Sequence, residues 1–340
     1  MNTPKMSGRS QLVVSVLVAS MLCSGSLALG EAPGTAMDTT TIERLTGAKG
    51  AFDEKENVFK VSVPRKDLSV VIAGVKMSPP MGLTSWAAFK RDGKDDMVMG
   101  DLVLLQDQVS PVMSAALDNG LEVTALHNHF VWDSPRIMFM HIGGMGSEQN
   151  LATAVGRVFA EIKETSGRTN IPNAQIDPAH SSLDPAKLDS ALGLKGQYKD
   201  GVYKFVVGRT TRMHDVEIGN QMGVNTWGTF AGSEDKAVVD GDFAMRESEL
   251  QPVLRALRKA GINVVAIHQH MVGEEPRIMF LHYWALHPQT ISRRDSDPRS
   301  TSPAIRAHSC VRDDARLPRI APRISGGRAR SLAVNDERGP

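Results

Sequence analysis

The chain writes one block twice. ALHNHFVWDSPRIMFMH at 125–141 returns as AIHQHMVGEEPRIMFLH at 266–282. An offset of 141 runs without a gap from 81–141 to 222–282. It matches Gly82 with Gly223, Trp86 with Trp227, Gly100-Asp101 with Gly241-Asp242, and Gly120 with Gly261. Upstream the likeness continues at a shifted offset, with VFK (58–60) against VYK (202–204) and GAKG (47–50) against GLKG (193–196). The shift places small insertions in loops, where they are tolerated. Such a repeat restricts the fold, because each half has to be one structural unit and the two have to coexist in one architecture.

Each half follows one plan. A short helix opens it, capped by Asp or Thr (TTTIERLTG; DPAKLDSALG). Strand-like segments follow: NVFKVSVPR, SVVIAGVKM, TSWAAFK and MVMGDLVLLQ in the first half. A helix comes next, with Ser110 or Ser248 as the expected cap, and it stops at Gly120 or Gly261. Two strands, LEVTALHNHF and RIMFMHI, are joined through a Pro-containing turn. The RIMFM pattern predicts a strand buried on both faces. Only the first half continues into an amphipathic helix, LATAVGRVFAEIKE, with Leu151, Val155, Val158 and Ile162 on one side. The expected fold is α+β: two tandem repeats of antiparallel or mixed sheet covered by helices. The expected boundaries are 38–165 for repeat 1, 166–183 for a Pro-, Asn- and Ser-rich linker, and 184–286 for repeat 2, which lacks its closing helix and would expose apolar sheet.

The ends differ from the body. Lys5 and Arg9, the apolar run 12–22 and Ser26-Leu27-Ala28 read as a signal peptide over 1–30. The run is short for a membrane span, so no transmembrane segment is expected beyond the signal. Cys23 follows Leu22, where a lipobox wants a small residue. The expected location is the periplasm, the cell envelope or outside the cell. The body has no cysteine, so no disulfide framework is expected. Residues 287–340 contain 11 Arg and no Lys, and read as a disordered tail, either out of frame or a natural basic arm. Residues 1–286 carry 28 Lys and Arg against 32 Asp and Glu. This mildly acidic body gives no footprint for nucleic acid.

The histidines carry the chemistry. On a strand, His127 and His129 point to one side, as do His268 and His270. His141 or His282 returns on the next strand, and register decides whether it shares their face. Three imidazoles with an open fourth position suit a divalent transition metal such as zinc. Asp133, Glu274 and Glu275 lie in the turns, and Glu274 is the carboxylate singled out as a further ligand. If the chain is an enzyme, hydrolysis is the natural reaction of such a site. The bland alternative is a set of hydrogen-bonded structural histidines. Arg136 and Arg277 are candidate clamps for an anionic small ligand or envelope component, or ion-pair partners of Asp133 or Glu275. Trp86 and Trp227 read as core before they read as sugar platforms. His127-Asn128-His129 spells HNH, but that nuclease motif uses well-separated residues. A cupin-like spacing around His-x-His lacks the second cupin motif.

The paired blocks HNHFVWDSPRIMFMH and HQHMVGEEPRIMFLHYW, with MGLTSWAAF and MGVNTWGTF, resemble the bacterial LppY/LpqO family over about 38–286. The resemblance implies an exported or lipid-anchored envelope protein without an established activity. It assigns no catalytic residue.

Overall fold

The structure, a computed structural model, describes residues 36–287 apart from 94 and 168–171. The signal segment and the tail beyond 287 lie outside the described residues. Repeat 1 runs α1 (Thr39–Thr46), β1 (Gly50–Asp53), β2 (Val58–Pro64), β3 (Val71–Ile72), β4 (Val75–Lys76), β5 (Thr84–Asp92), β6 (Asp95–Leu105), α2 (Val109–Asp118), β7 (Glu122–His127), β8 (Asp133–Ser134), β9 (Ile137–Gly146) and α3 (Glu148–Thr165). Repeat 2 runs α4 (Pro185–Leu192), β10 (Gln197–Lys199), β11 (Val202–Gly208), β12 (Thr211–Met213), β13 (Val216–Ile218), β14 (Asn225–Gly232), β15 (Ala237–Arg246), α5 (Leu250–Lys259), β16 (Asn263–His268) and β17 (Ile278–His287).

The expectation of mixed helix and antiparallel sheet holds, with sheet dominant. One 12-stranded sheet has the order β1-β2-β5-β6-β9-β7-β16-β17-β15-β14-β11-β10. The second half of that order is the first in mirror sequence, so β7 and β16 meet at a pseudo-twofold. They cross antiparallel with Leu126 opposite Ile267. On the helical side, Ser110 Oγ donates to Asn263 Oδ1 at 2.7 Å, and the Gln251 amide exchanges two hydrogen bonds with the backbone of Val123. Positions 110 and 251 are equivalent in the repeat, so each half reaches across to the other's central strand from the same place, though to different partner groups.

The main core lies between the sheet and the helices and runs through both repeats. Helix α3 buries Leu151, Val155, Val158 and Ile162 there, as its period requires. Asp38 and Asp184 cap α1 and α4 through main-chain amides. Ser110 and Ser248 do not cap α2 and α5. A 3-10 turn precedes each helix, at Gln106–Gln108 and Glu247–Glu249. The side chains of Gln108 and Glu249 reach back to the amides of Leu105 and Arg246 instead. The segment SVVIAGVKM is not one strand but the small hairpin β3–β4, which pairs with β8.

The sheet of repeat 2 is not left bare. Phe243 and Tyr283 are buried. They occupy the positions of Leu102 and Ile142 in repeat 1, and Tyr203 and Phe205 are larger than their counterparts Phe59 and Val61. Larger aromatic side chains fill more volume on the helical face of this repeat and pack on one another.

Two small satellite cores lie on the other face of the sheet. One joins Val70, Leu83, Val103, Ile137 and Phe139; the other joins Ile218, Val224, Ala244, Ile278 and Phe280. They seat the loops that surround the histidines.

Candidate metal centre

Strand β7 pairs with β9, and β16 with β17, through a matched register shift. It falls between Val123 and Ala125 in one repeat and between Val264 and Ala266 in the other. Beyond the shift, Ala125 faces His141 and His127 faces Phe139; Ala266 faces His282 and His268 faces Phe280. The register therefore brings the returning histidine to the face of the first one. His127 and His141 ring centroids stand 5.2 Å apart, with their Nε2 atoms at 3.1 Å. His268 and His282 centroids stand 4.8 Å apart.

His129 and His270 join by a different route from the expected one. The strands end at His127 and His268, so alternation along a strand does not place the third imidazole. Each lies in the following loop and stacks flat on a buried phenylalanine. The centroids are 3.3 Å apart for His129 on Phe139 and 3.4 Å for His270 on Phe280. That stacking sets His129 5.1 Å from His127 and His270 5.1 Å from His268. All three histidines of each repeat converge.

The carboxylate of the site is not the expected one. Glu274 is buried in the turn, where its Oε1 accepts the amide of Ile278 at 3.0 Å. Asp133 does the same for Ile137 at 2.8 Å. These are turn-closing carboxylates. Glu275 pairs its backbone with Arg212. The acid beside the imidazoles comes from the neighbouring strand, because Asp101 faces His141 and Asp242 faces His282. Sequence reasoning missed both, although Gly-Asp recurs at the repeat offset.

Asp242, His268 and His270 form a group that could hold a metal ion, with one donor atom from each within 4.8 Å of the others. Tetrahedral zinc with bonds of about 2.0–2.2 Å needs donors within roughly 3.5 Å of one another. Rotation of the exposed His270 side chain can supply part of the difference. Asp242 Oδ2 stands 3.5 Å from His270 Nε2, and Asp101 Oδ1 stands 3.9 Å from His141 Nε2. Each site also holds a buried polar atom without a hydrogen-bond partner among the described residues, Asp101 Oδ1 in repeat 1 and His268 Nδ1 in repeat 2. Orphaned buried donors and acceptors are costly unless something binds them. Burial holds His129 and His268 below the usual imidazole range, so both offer a free lone pair at neutral pH. Burial pushes the Asp242 carboxyl up, against the pull of the three imidazoles around it.

Arg136 and Arg277 are exposed and have no ion pair among the described residues, so the turn ion pair with Asp133 or Glu275 is not formed. Trp86 and Trp227 are not core. They are half-buried, one ladder step from Asp101 and Asp242, and each is covered by a lysine. Lys60 Nζ lies 3.9 Å from the Trp86 ring centre and Lys204 Nζ 5.1 Å from that of Trp227.

A family model matches residues 40–161 and 186–293, more than half of the chain. The chain belongs to the family described as Domain of Unknown Function (DUF1259). The DUF1259 match falls in two segments, one on each repeat, and the gap spans the linker. No curated protein matches this DUF1259 chain. Among solved structures, a trimeric bacterial microcompartment shell protein, PduB, aligns at 11% identity over 77% of this chain and 88% of its own, with a TM-score of 0.19. A superposition that poor carries no argument about fold or function.

Proposed function

We propose that this is an exported envelope protein of LppY/LpqO type that binds a divalent transition metal, such as zinc, through one imidazole–carboxylate centre in each repeat. The observation that carries the reading is the convergence of His127, His129 and His141 beside Asp101, and of His268, His270 and His282 beside Asp242. Nitrogen and carboxylate donors suit zinc, copper or nickel better than calcium or magnesium. If only three of these donors bind at once, as in the group of Asp242, His268 and His270, a tetrahedral ion keeps one open position, the arrangement that hydrolytic zinc sites use. The reading of Arg136 and Arg277 as clamps of an anionic ligand has less support, because both are exposed and lie outside the strands that carry His141 and His282. Export rests on the segment 1–30. Among the described residues, no helix is long and apolar enough to cross a membrane.

The test is metal content. The full chain is purified without a tag or chelator, then assayed by elemental mass spectrometry before and after reconstitution. The expected result is bound transition metal that disappears in His127→Ala/His129→Ala/His268→Ala/His270→Ala while the circular dichroism spectrum is kept. A native chain that takes up no metal even after reconstitution overturns the proposal.

A further inference from the structure

The histidine-bearing face of repeat 1 carries a second cluster that this centre does not use. Side chains alternate along a strand, so Asp101, Met99 and Met97 share that face on β6, and His141, Gly143 and Met145 share it on β9. The ladder sets them opposite one another: Asp101 to His141, Met99 to Gly143, Met97 to Met145. Met97 and Met145 are thus a directly opposed pair, with Cβ atoms about 4.5–5.5 Å apart, and Met99 is their diagonal neighbour at about 7–8 Å. All three are exposed, at 37%, 59% and 54%. Ala88 and Gly143 stand on either side of Met99, so no bulky neighbour fills the space above it.

Burial does not account for these methionines. An exposed sheet face ordinarily alternates to polar residues. The repeat supplies an internal control. Positions 238, 240 and 286 hold Val238, Asp240 and Leu286, in the same pairing, with Val238 opposite Leu286. The same sheet geometry is therefore built without a single thioether.

We propose that Met97, Met99 and Met145 form a binding site for a soft monovalent cation, Cu(I) or Ag(I), distinct from the imidazole–carboxylate centre beside it. Thioether sulfur is soft and polarisable, and the methionine side chain is flexible enough to close on an ion. Soft ligands select Cu(I) over the divalent ions that imidazole and carboxylate favour. Lys90 flanks Met97, Glu122 lies beyond Gly143, and Asp95 and Asp101 stand at the two ends of the row on β6, so the patch is mildly acidic and favours cations without choosing among them. Sulfur bonding, not attraction at a distance, sets its preference.

The test uses the full chain labelled with 13C at the methionine methyls, with Cys23 and Cys310 alkylated, titrated with silver nitrate and followed by NMR. Single Met→Leu changes assign the resonances. The methyls of Met97, Met99 and Met145 are expected to shift together and to saturate before those of Met81 and Met222, which are also exposed but lie outside the trio. Met97→Leu/Met99→Leu/Met145→Leu conserves apolar volume. It is expected to bind one silver ion fewer per chain and to keep its zinc uptake. The proposal fails if Met81 and Met222 respond at the same silver concentration, or if the triple variant binds as much silver as the native chain. Loss of zinc together with silver in that variant also overturns it, because the methionines would then belong to the histidine centre.

Discussion

Asp242 and Asp101 hold the same place in the two repeats, one ladder step from a histidine. Asp242 has a side chain 3% exposed, and its second oxygen accepts the amide of Leu281 at 3.2 Å. Asp101 is 13% exposed, and its Oδ1 has no hydrogen-bond partner among the described residues. One carboxylate is aimed by the backbone and the other is not. The difference teaches that the register copies the placement of these side chains, whereas their precision depends on contacts around them. The helical sides differ as well. Repeat 1 covers its sheet with α3, while repeat 2 fills the corresponding core positions with Phe243 and Tyr283.

The largest expected effect tests that aromatic filling. Tyr283 is fully buried, and its hydroxyl donates to the carbonyl of Trp227. Tyr283→Ala should cost about 3–5 kcal/mol, as cavity formation by loss of a large aromatic does. Urea unfolding measures it, and a loss below that of Ile142→Ala would show that the aromatic fill is not what holds repeat 2.

The next effect lies in the proposed metal sites. Asp242→Asn should weaken zinc binding at repeat 2 by more than the about 10–100-fold that losing an outer-shell partner costs, because Asp242 offers a donor atom itself. Asp101→Asn should change repeat 1 less, because that carboxylate starts further from its histidine. Calorimetric titration of both variants reads the difference, and equal losses would erase the distinction between the repeats.

Acid should act on both. Burial lowers His129 and His268 from the ordinary value of 6.5, and the neighbouring imidazoles push the same way while Asp101 and Asp242 oppose. The unfolded chain therefore takes up protons first as pH falls below 6.5, and the metal-free protein loses stability from there down to the lowered folded values. Zinc should leave over the same window, since protonated imidazole cannot ligate. Melting temperatures of the metal-free and zinc-loaded chain against pH check this. A metal-free stability that does not fall below 6.5 would contradict the assigned burial.

The smallest effect is in the loop. Trp132 has φ 67, and its counterpart Gly273 has φ 86. A bulky residue in the left-handed region is strained where glycine is not. Trp132→Gly should raise stability by under about 1 kcal/mol, and Gly273→Trp should lower it. Thermal melts compare the pair.

Much of this was legible in the sequence. The 3.6-residue period of LATAVGRVFAEIKE gave α3 and its buried side, and the doubled block gave the histidines and the two-part architecture. The acid was hidden because β6 lies far from the His-x-His strand in sequence, and only the order β6-β9-β7 brings Asp101 to the imidazoles. Glu274 misled because a turn carboxylate near a histidine in sequence is occupied by the turn's own amide. His129 reached the expected place for the wrong reason, since stacking on Phe139 does what strand alternation was expected to do. Trp86 read as core because aromatic strand residues usually are, and nothing local marked its face as the one that bears the site.

The most direct test is anomalous diffraction at the zinc edge from crystals of the reconstituted full chain. The account predicts two peaks on one face of the sheet, one among Asp242, His268 and His270 and a weaker one among Asp101, His127 and His141. Zinc bound elsewhere, or no peak at either set of histidines, would contradict it.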